Sequence, residues 1–330
     1  MLELKKVVLF TIGEPSGIGP EISIKTALDL QVLAKCNPVL IGNIKILEKT
    51  LANLNLSNIK FNLIQDFQNI TTEALRINVY SPDNFSYINF EYGTPTIETG
   101  KASFDYLQTA VKLIKKGESN YLVTAPISKN AWQKAGIDYL GHTEALADMT
   151  GTVKYGMIFV NPLIKVILAT RHLALKRVSE ILTKDIVKEA IDLAIEFLDG
   201  LGICRKRIGI CSLNPHGGDQ GTIGSEEIDV ISPVVDRYKQ VEGEFIGPST
   251  CDAIYNMALN KQIDLVVAMY HDQGIMPLKL LAYHKCVNIT YGLPFVRTSP
   301  GHGTAFDISG KNIANEDAMI EAVNWALKLG

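Results

Sequence analysis

The chain has 330 residues, 47% of them hydrophobic, with 32 basic against 35 acidic side chains and a formal net charge of −3. That length and apolar content can bury a large core arranged as two lobes, and the near-balanced charge, without a block of one sign, argues against nucleic acid or an anionic membrane as partner. The five cysteines, Cys36, Cys204, Cys211, Cys251 and Cys286, are odd in number and lack a CxxC pair, so they read as small buried apolar residues, with the cytoplasm as the default compartment.

The first element, "KKVVLFTIG", is an apolar run that Gly and Pro soon interrupt, too short for a signal peptide or membrane span and predicted as a strand. It precedes a helical pattern in "PEISIKTALDL", and "PVLIG" likewise precedes "IKILEKTLANL". In "TIETGKASFDYLQTAVKLIKKG", Phe104, Leu107, Val111 and Ile114 form one apolar stripe, predicting an amphipathic helix that Gly117 stops. "NYLVTAPI" precedes "SKNAWQKAG". "YGMIFVNP" and "IKVILAT" read as consecutive strands joined by an Asn-Pro turn, an antiparallel addition to the sheet and an interface element. "TKDIVKEAIDLAIEFLDG" is predicted as a helix from a Thr183 cap to Gly200. "RKRIGICSLN" reads as a buried strand and "SEEIDVISPVVDRY" opens like a capped helix, which puts His216 on a strand-to-helix loop. "DLVVAMYHD" then precedes "QGIMPLKLLAY". Such alternation predicts an α/β fold with a largely parallel sheet. With no flexible linker, two lobes must be joined by strands or short turns, with a cleft between them.

Polar residues collect in the loops at strand ends: "GEPSGIGPE", "GHTEAL", "ATRHLAL", "NPHGGDQG", "MYHDQG" and "RTSPGHGTAFDISGK". His142, His172, His216, His271 and His302 all fall there, and His284 does not. One loop histidine is more often a surface or satisfied core residue than a ligand. His172, His216 and His271, however, each follow or close an apolar strand, and three neutral imidazoles suit zinc, cobalt or nickel. They lie 44 and 55 residues apart, without the local spacing that makes HExxH specific, so convergence requires their strands to run parallel or to pair across a subunit boundary.

Gly13, Gly17 and Gly19 allow either an anion cradle or a tight strand-to-helix turn. They do not form GxGxxG, and no P-loop motif occurs, so a Rossmann assignment is poorly supported. Lys279, Lys285, Asn288 and Arg297 lie in an apolar setting, where a desolvated cation needs an anionic partner: a substrate phosphate or carboxylate, or a structural salt bridge.

Taken together, "GEPSGIGPE", "TAPISK", "GHTEAL", "RHLAL", "NPHGGDQGTIGSEE", "GPSTCDAIY", "YHDQGIMPLK" and "NITYGLPFVRTSPGHGTAFDISG" resemble the 4-hydroxythreonine-4-phosphate dehydrogenase family along nearly the whole chain. "GIGPE" and "HGTAFDISGKNIAN" are more distantly similar to isopropylmalate and isocitrate dehydrogenases, whose HG loop binds the adenosine part of NAD without a Rossmann fingerprint. The resemblance implies a two-lobed α/β/α fold of that type. One lobe would comprise 1–140 with 300–330 and carry the NAD-binding loop; the other, 141–299, would carry the metal ligands and the dimer interface.

It also implies metal ligands at His172, His216 and His271, with Zn2+ favoured and Mg2+ or Co2+ as alternatives, and substrate contacts at His142, Thr143, Lys279, Asn288 and Arg297. NAD, with NADP as an option, would lie on Gly301, His302, Gly303 and Asp307. The implied enzyme is a homodimer with shared active sites. It oxidises 4-phosphooxy-L-threonine at C3 and decarboxylates the product to 3-amino-2-oxopropyl phosphate on the route to pyridoxal 5′-phosphate. Asp252, Lys279 and His142 are candidates for the acid and base, with Asp252 and Lys279 preferred as a pair. A D-threonate or D-erythronate 4-phosphate dehydrogenase of the same family is the alternative.

Overall fold

In the computed structural model, which describes residues 5–82, 85, 89–240 and 243–330, the first apolar run becomes β1 (Lys6–Thr11), with Val8, Leu9 and Phe10 fully buried. Next come α1 (Gly19–Leu28) and α2 (Leu30–Lys35). The helical pattern read in "PEISIKTALDL" overruns the end of α1, where Asp29 turns extended and its carboxylate accepts from Gln31 N and Val32 N, capping α2, a helix the sequence reading did not include. β2 (Cys36–Ile41), α3 (Ile44–Asn53), β3 (Lys60–Leu63) and β4 (Arg76–Tyr80) follow. The long helix read from the sequence is α4 (Ile97–Lys115), opened by reciprocal bonds between Thr96 and Thr99 and followed by Gly117 at φ 85°. β5 (Tyr121–Thr124), α5 (Lys129–Lys134) and α6 (His142–Thr150) complete this stretch.

β6 (Gly156–Val160) and β7 (Lys165–Leu168) form the antiparallel pair expected of "YGMIFVNP" and "IKVILAT". After α7 (Val178–Ile181) comes α8 (Lys184–Gly200), capped by Thr183 Oγ1 at 3.3 Å from Ile186 N, also as read. β8 (Arg207–Cys211) leads into the His216 loop. Beyond that loop the structure departs from a simple capped helix. No side chain caps Glu226, and Glu227–Ile231 is wound in wider turns before α9 (Ser232–Tyr238). Pro233 cannot donate to the ladder at this junction, which loosens the winding. β9 (Glu244–Ser249), α10 (Cys251–Leu259), β10 (Leu265–Ala268), α11 (His271–Ala282), β11 (Val287–Tyr291), β12 (Val296–Pro300) and α12 (Asp317–Leu329) finish the chain.

The chain divides into unit 1, Met1–Thr152 with Leu293–Gly330, and unit 2, Val153–Gly292; the sequence reading drew its junctions at 140/141 and 299/300. In unit 1 the strand order is β3-β4-β2-β1-β5-β12, every pair parallel. Unit 2 has the order β11-β6-β7-β10-β8-β9, in which β6 runs against both its neighbours and the other pairs are parallel. Its core joins Val166, Leu168, Val266, Ala268, Ile254 and Leu278, and the burial of each Val, Leu or Ile side chain among them is worth roughly 1.5–3 kcal/mol. Gly274 lets α11 lie close on β7, since a Cβ there would come within 2.4 Å of Leu168 Cδ2.

Cys36, Cys211 and Cys286 are buried, as their reading required, whereas Cys204 is exposed and Cys251 partly so. Cys251 also shares a hydrogen bond with Cys211, which lowers the Cys251 thiol and raises the other. Among the described residues no helix is long and apolar enough to cross a membrane.

Candidate active site

In unit 1 the parallel register of β1, β5 and β12 delivers three loops to one edge, the carboxyl ends of the strands, where open α/β sheets bind ligands. The first Gly-rich loop closes against the other two. Glu14 N donates to Pro126 O at 2.9 Å, Ile18 N to Thr304 O at 3.0 Å, and Ser309 Oγ to Ser16 O at 2.7 Å. A Cβ at Gly13, Gly17 or Gly19 would strike Pro126 O at 2.3 Å, Thr304 O at 2.9 Å or Ile12 O at 2.3 Å. The chain's own backbone therefore accounts for those glycines as a tight turn. Gly303 differs: a Cβ there would meet nothing within 4 Å, so this chain's packing does not demand a glycine, while close approach of a ligand would. Its neighbours include His302, whose Nδ1 lies 3.0 Å from Gly303 O, and exposed Asp307.

Arg297, near the start of β12, is 2% exposed and donates from Nη2 to Thr124 Oγ1 at 2.7 Å. Burial pushes its guanidinium down to about 9, opposed by Glu144, which leaves it cationic at neutral pH. His142 opens α6 behind Gly141, which has no side chain to cap the first turn, and a helix N-terminus favours an anion. Its ring packs edge-on against Trp132 at 5.6 Å. Burial, then Arg297 and Lys129, hold it well below the ordinary histidine value, so the imidazole is neutral, and its buried Nε2 finds no hydrogen-bond partner among the described residues. Thr143, beside it, is 4% exposed. The combination places one buried cation near the start of a helix, chemistry that suits a phosphate or carboxylate.

In unit 2, β7, β10, β8 and β9 run parallel in that order. Their carboxyl ends carry His172, His271, His216 and Asp252 in the same order, so the condition set by the sequence, parallel strands, is met. Neighbouring strands bring the His172 and His271 rings to 5.7 Å between centroids. His216 stands on the next strand end, close enough to Asp252 to help lower its carboxyl, after hydrogen bonds from Thr250 and Ala253. A pocket of about 800 Å³ is lined there by Ser212, Asn214, His216, Cys251, Asp252 and Asp272, among others. His271 Nδ1 lies 2.7 Å from Asp272 Oδ1. On α11, Lys279 Nζ sits 5.7 Å above the ring of Tyr283, which follows the helix, and Asn288 Oδ1 on β11 is buried with no hydrogen-bond partner among the described residues.

The donor chemistry suits a divalent cation, since neutral imidazoles are ligands for zinc and similar ions. Among the described residues, though, no group of three or more His, Cys, Asp or Glu is drawn together.

Two side chains that sequence reasoning passed over hold these strand ends. Gln273, 7% exposed, accepts from Met269 N at 2.6 Å and donates to Ser212 O at 2.7 Å, tying β10 to β8. Glu227, 4% exposed, accepts from Leu213 N and Asn214 N, both at 2.7 Å. The available signal was position alone: Gln273 follows His271 by two residues, and Glu227 opens a helical run. They brace an unusual turn in which His216, Gly217, Gly218, Asp219 and Gln220 all have positive φ. Each of its side-chain-bearing residues costs about 1–2 kcal/mol in that conformation.

Polar loops at the carboxyl ends of parallel strands, with a buried arginine in one unit and strand-end histidines in the other, define an α/β enzyme. The family model described as "Pyridoxal phosphate biosynthetic protein PdxA" matches residues 34–326. The chain belongs to this family, as its motifs implied. It is 42% identical over 324 residues to a 4-hydroxythreonine-4-phosphate dehydrogenase of Sulfurihydrogenibium sp. (strain YO3AOP1), covering 97% of each chain. It is 37% identical, over 98% of each, to an Oceanobacillus iheyensis protein provisionally named a D-threonate 4-phosphate dehydrogenase. A crystal structure of 4-hydroxythreonine-4-phosphate dehydrogenase from Klebsiella pneumoniae superposes with a TM-score of 0.88 at 34% identity, covering 100% of this chain and 99% of that one.

Proposed function

We propose that the protein is a nicotinamide- and metal-dependent dehydrogenase of 4-phosphooxy-L-threonine. It would oxidise the C3 hydroxyl with NAD, or with NADP as the alternative, and release CO2 to leave 3-amino-2-oxopropyl phosphate, a precursor for pyridoxal 5′-phosphate. What carries the reading is the alignment of His172, His271 and His216 on successive parallel strand ends in a chain 42% identical to a dehydrogenase named for this substrate.

His172, His216 and His271 would hold the cation, with zinc preferred for imidazole donors and Mg2+ or Co2+ as alternatives. When bound, the ion acidifies the substrate hydroxyl and stabilises the charge that develops as CO2 departs. Gly301, His302, Gly303 and Asp307 would take the adenosine part of the nicotinamide cofactor, whose ring accepts the hydride. The remaining work falls to this chain's side chains. Arg297 and the N–H groups at the start of α6 bind an anionic end of the substrate, and neutral His142 with Thr143 orients it. Asn288 Oδ1 offers an acceptor. Asp252, held ionised by Thr250 and Ala253, is suited to receive the hydroxyl proton at its carboxylate, and Lys279 Nζ to supply one after decarboxylation.

A homodimer sharing its active sites is part of this reading. Leu173, Leu175, Met276 and Leu280 are exposed on the segments that carry His172 and His271, as expected of a face that a second copy covers. Five free cysteines are in keeping with work in the cytoplasm. The 37% relative favours one second reading: D-threonate or D-erythronate 4-phosphate keeps the carboxylate, C3 hydroxyl and phosphate and exchanges the amine for a hydroxyl. NADH absorbance, followed with purified protein, NAD and a divalent metal on both substrate types, separates them. Preference for the amino substrate, abolished by a chelator, is expected; preference for the hydroxy acid would move the protein to sugar-acid catabolism, and chelator-resistant turnover would remove the metal from the mechanism.

A further inference from the structure

His216 occupies the first position of a run, residues 216–221, in which every φ is positive. Three of those residues, His216, Asp219 and Gln220, carry side chains that disfavour the conformation, so support from outside the run helps to hold it. Pro215–Gly221 is wound as a short 3-10 turn, and backbone bonds also tie its ends: Gly217 N donates to Asn214 O at 3.2 Å, Thr222 N to Asp219 O at 3.1 Å and Ile223 N to Gly218 O at 3.1 Å.

The outside support converges on one buried carboxylate. Glu227 Oε1 accepts from Leu213 N and Asn214 N, and Oε2 accepts from Asn214 Nδ2 at 3.0 Å. The same oxygen backs Gly218 so closely that a Cβ there would lie 2.7 Å from it, and 2.5 Å from Gly224 O. Asn214 Nδ2 is further tied to Glu226 Oε2 at 2.6 Å. One side chain thus grips the residues that enter the turn and closes against its middle, with His216 between the two grips.

We propose that Glu227 is a positioning residue for His216: its carboxylate fixes the entry and centre of the left-handed turn and thereby aims the imidazole at the cation. Glu227 touches neither metal nor substrate. The inference rests on His216 being a metal ligand, and on the general behaviour that partners orienting a ligand govern metal affinity without touching the ion.

The test is a double-mutant cycle on the full chain with Co2+ as probe, reading Co2+ affinity from its visible absorption and fold integrity from circular dichroism. Glu227→Ala is expected to weaken Co2+ binding about 10- to 100-fold, and His216→Ala at least as much. Because Glu227 acts through His216, the double variant should bind no more weakly than His216→Ala alone. Should Glu227→Ala not fold, Glu227→Gln, which keeps the volume and one acceptor oxygen, takes its place in the cycle, with a loss of roughly 3- to 10-fold expected. A Glu227 variant that binds like wild type while His216→Ala does not, or losses that simply multiply, would overturn the positioning role. Wild-type affinity in His216→Ala would overturn the metal reading of His216, and this inference with it.

Discussion

Arg297 and His142 show how far burial can move a side chain from its ordinary chemistry. Arg297 keeps its charge with Thr124 as a hydrogen-bond partner and Glu144 nearby, while His142, crowded by that charge and by Lys129, stays neutral. Because the folded His142 value is depressed, the unfolded chain takes up the proton first as pH falls. Stability is therefore fully present above about pH 6.5 and declines below it, by at most about 1.4 kcal/mol per pH unit. Urea midpoints measured between about pH 7 and pH 5 should fall more steeply for wild type than for His142→Gln; parallel slopes would mean that the imidazole is solvated. The sequence displayed both residues beside glycines and apolar runs, but burial, which sets their chemistry, is not a property of a residue's immediate neighbours.

Among the elements, the His172, His271 and His216 strand ends are held level by side chains from the segments that follow β7 and β10. Thr170 Oγ1 donates to Met269 O at 2.7 Å, joining β7 to β10, and Gln273 joins β10 to β8. Gln273→Leu would leave the buried Met269 N–H and the Ser212 carbonyl without these bonds, a loss of about 2–4 kcal/mol. Urea unfolding at constant slope would measure it; a loss below about 1 kcal/mol would mean that other groups satisfy the two strands. The β6–β7 pair, the Thr183 cap and the stop at Gly117 were legible because each signal lies within a few residues of its effect. β3, β4, β9, β11 and β12 were not read: they are short, and their burial is mixed or sits among polar residues.

At the scale of the whole molecule, the histidine-bearing segments of unit 2 leave apolar side chains in solvent, Leu280 at 79% exposure and Leu175 at 71%. Burying such side chains against a second copy would also desolvate the imidazoles and strengthen their hold on a cation. We expect wild type to sediment as a dimer, and Leu280→Glu to shift it toward monomer at micromolar concentration and to reduce turnover by more than about tenfold, with unchanged circular dichroism. A fully active wild-type monomer would refute the shared site.

The α/β class, the span of the long helices α4 and α8, the family and the residue types available for chemistry were all legible in the chain, because periodicity, caps and motifs act over short spans. Only the tertiary structure decided which of those residues meet. Strand order alone puts β12 beside β5, so that Arg297 reaches Thr124 across 173 residues, and puts β10 between β7 and β8, so that His271 stands beside His172. Glu227 likewise acquires its place only when the helix it opens folds back on the His216 turn. Such pairings are set by the free energy of packing whole strands and helices together, and no local pattern in the chain records them.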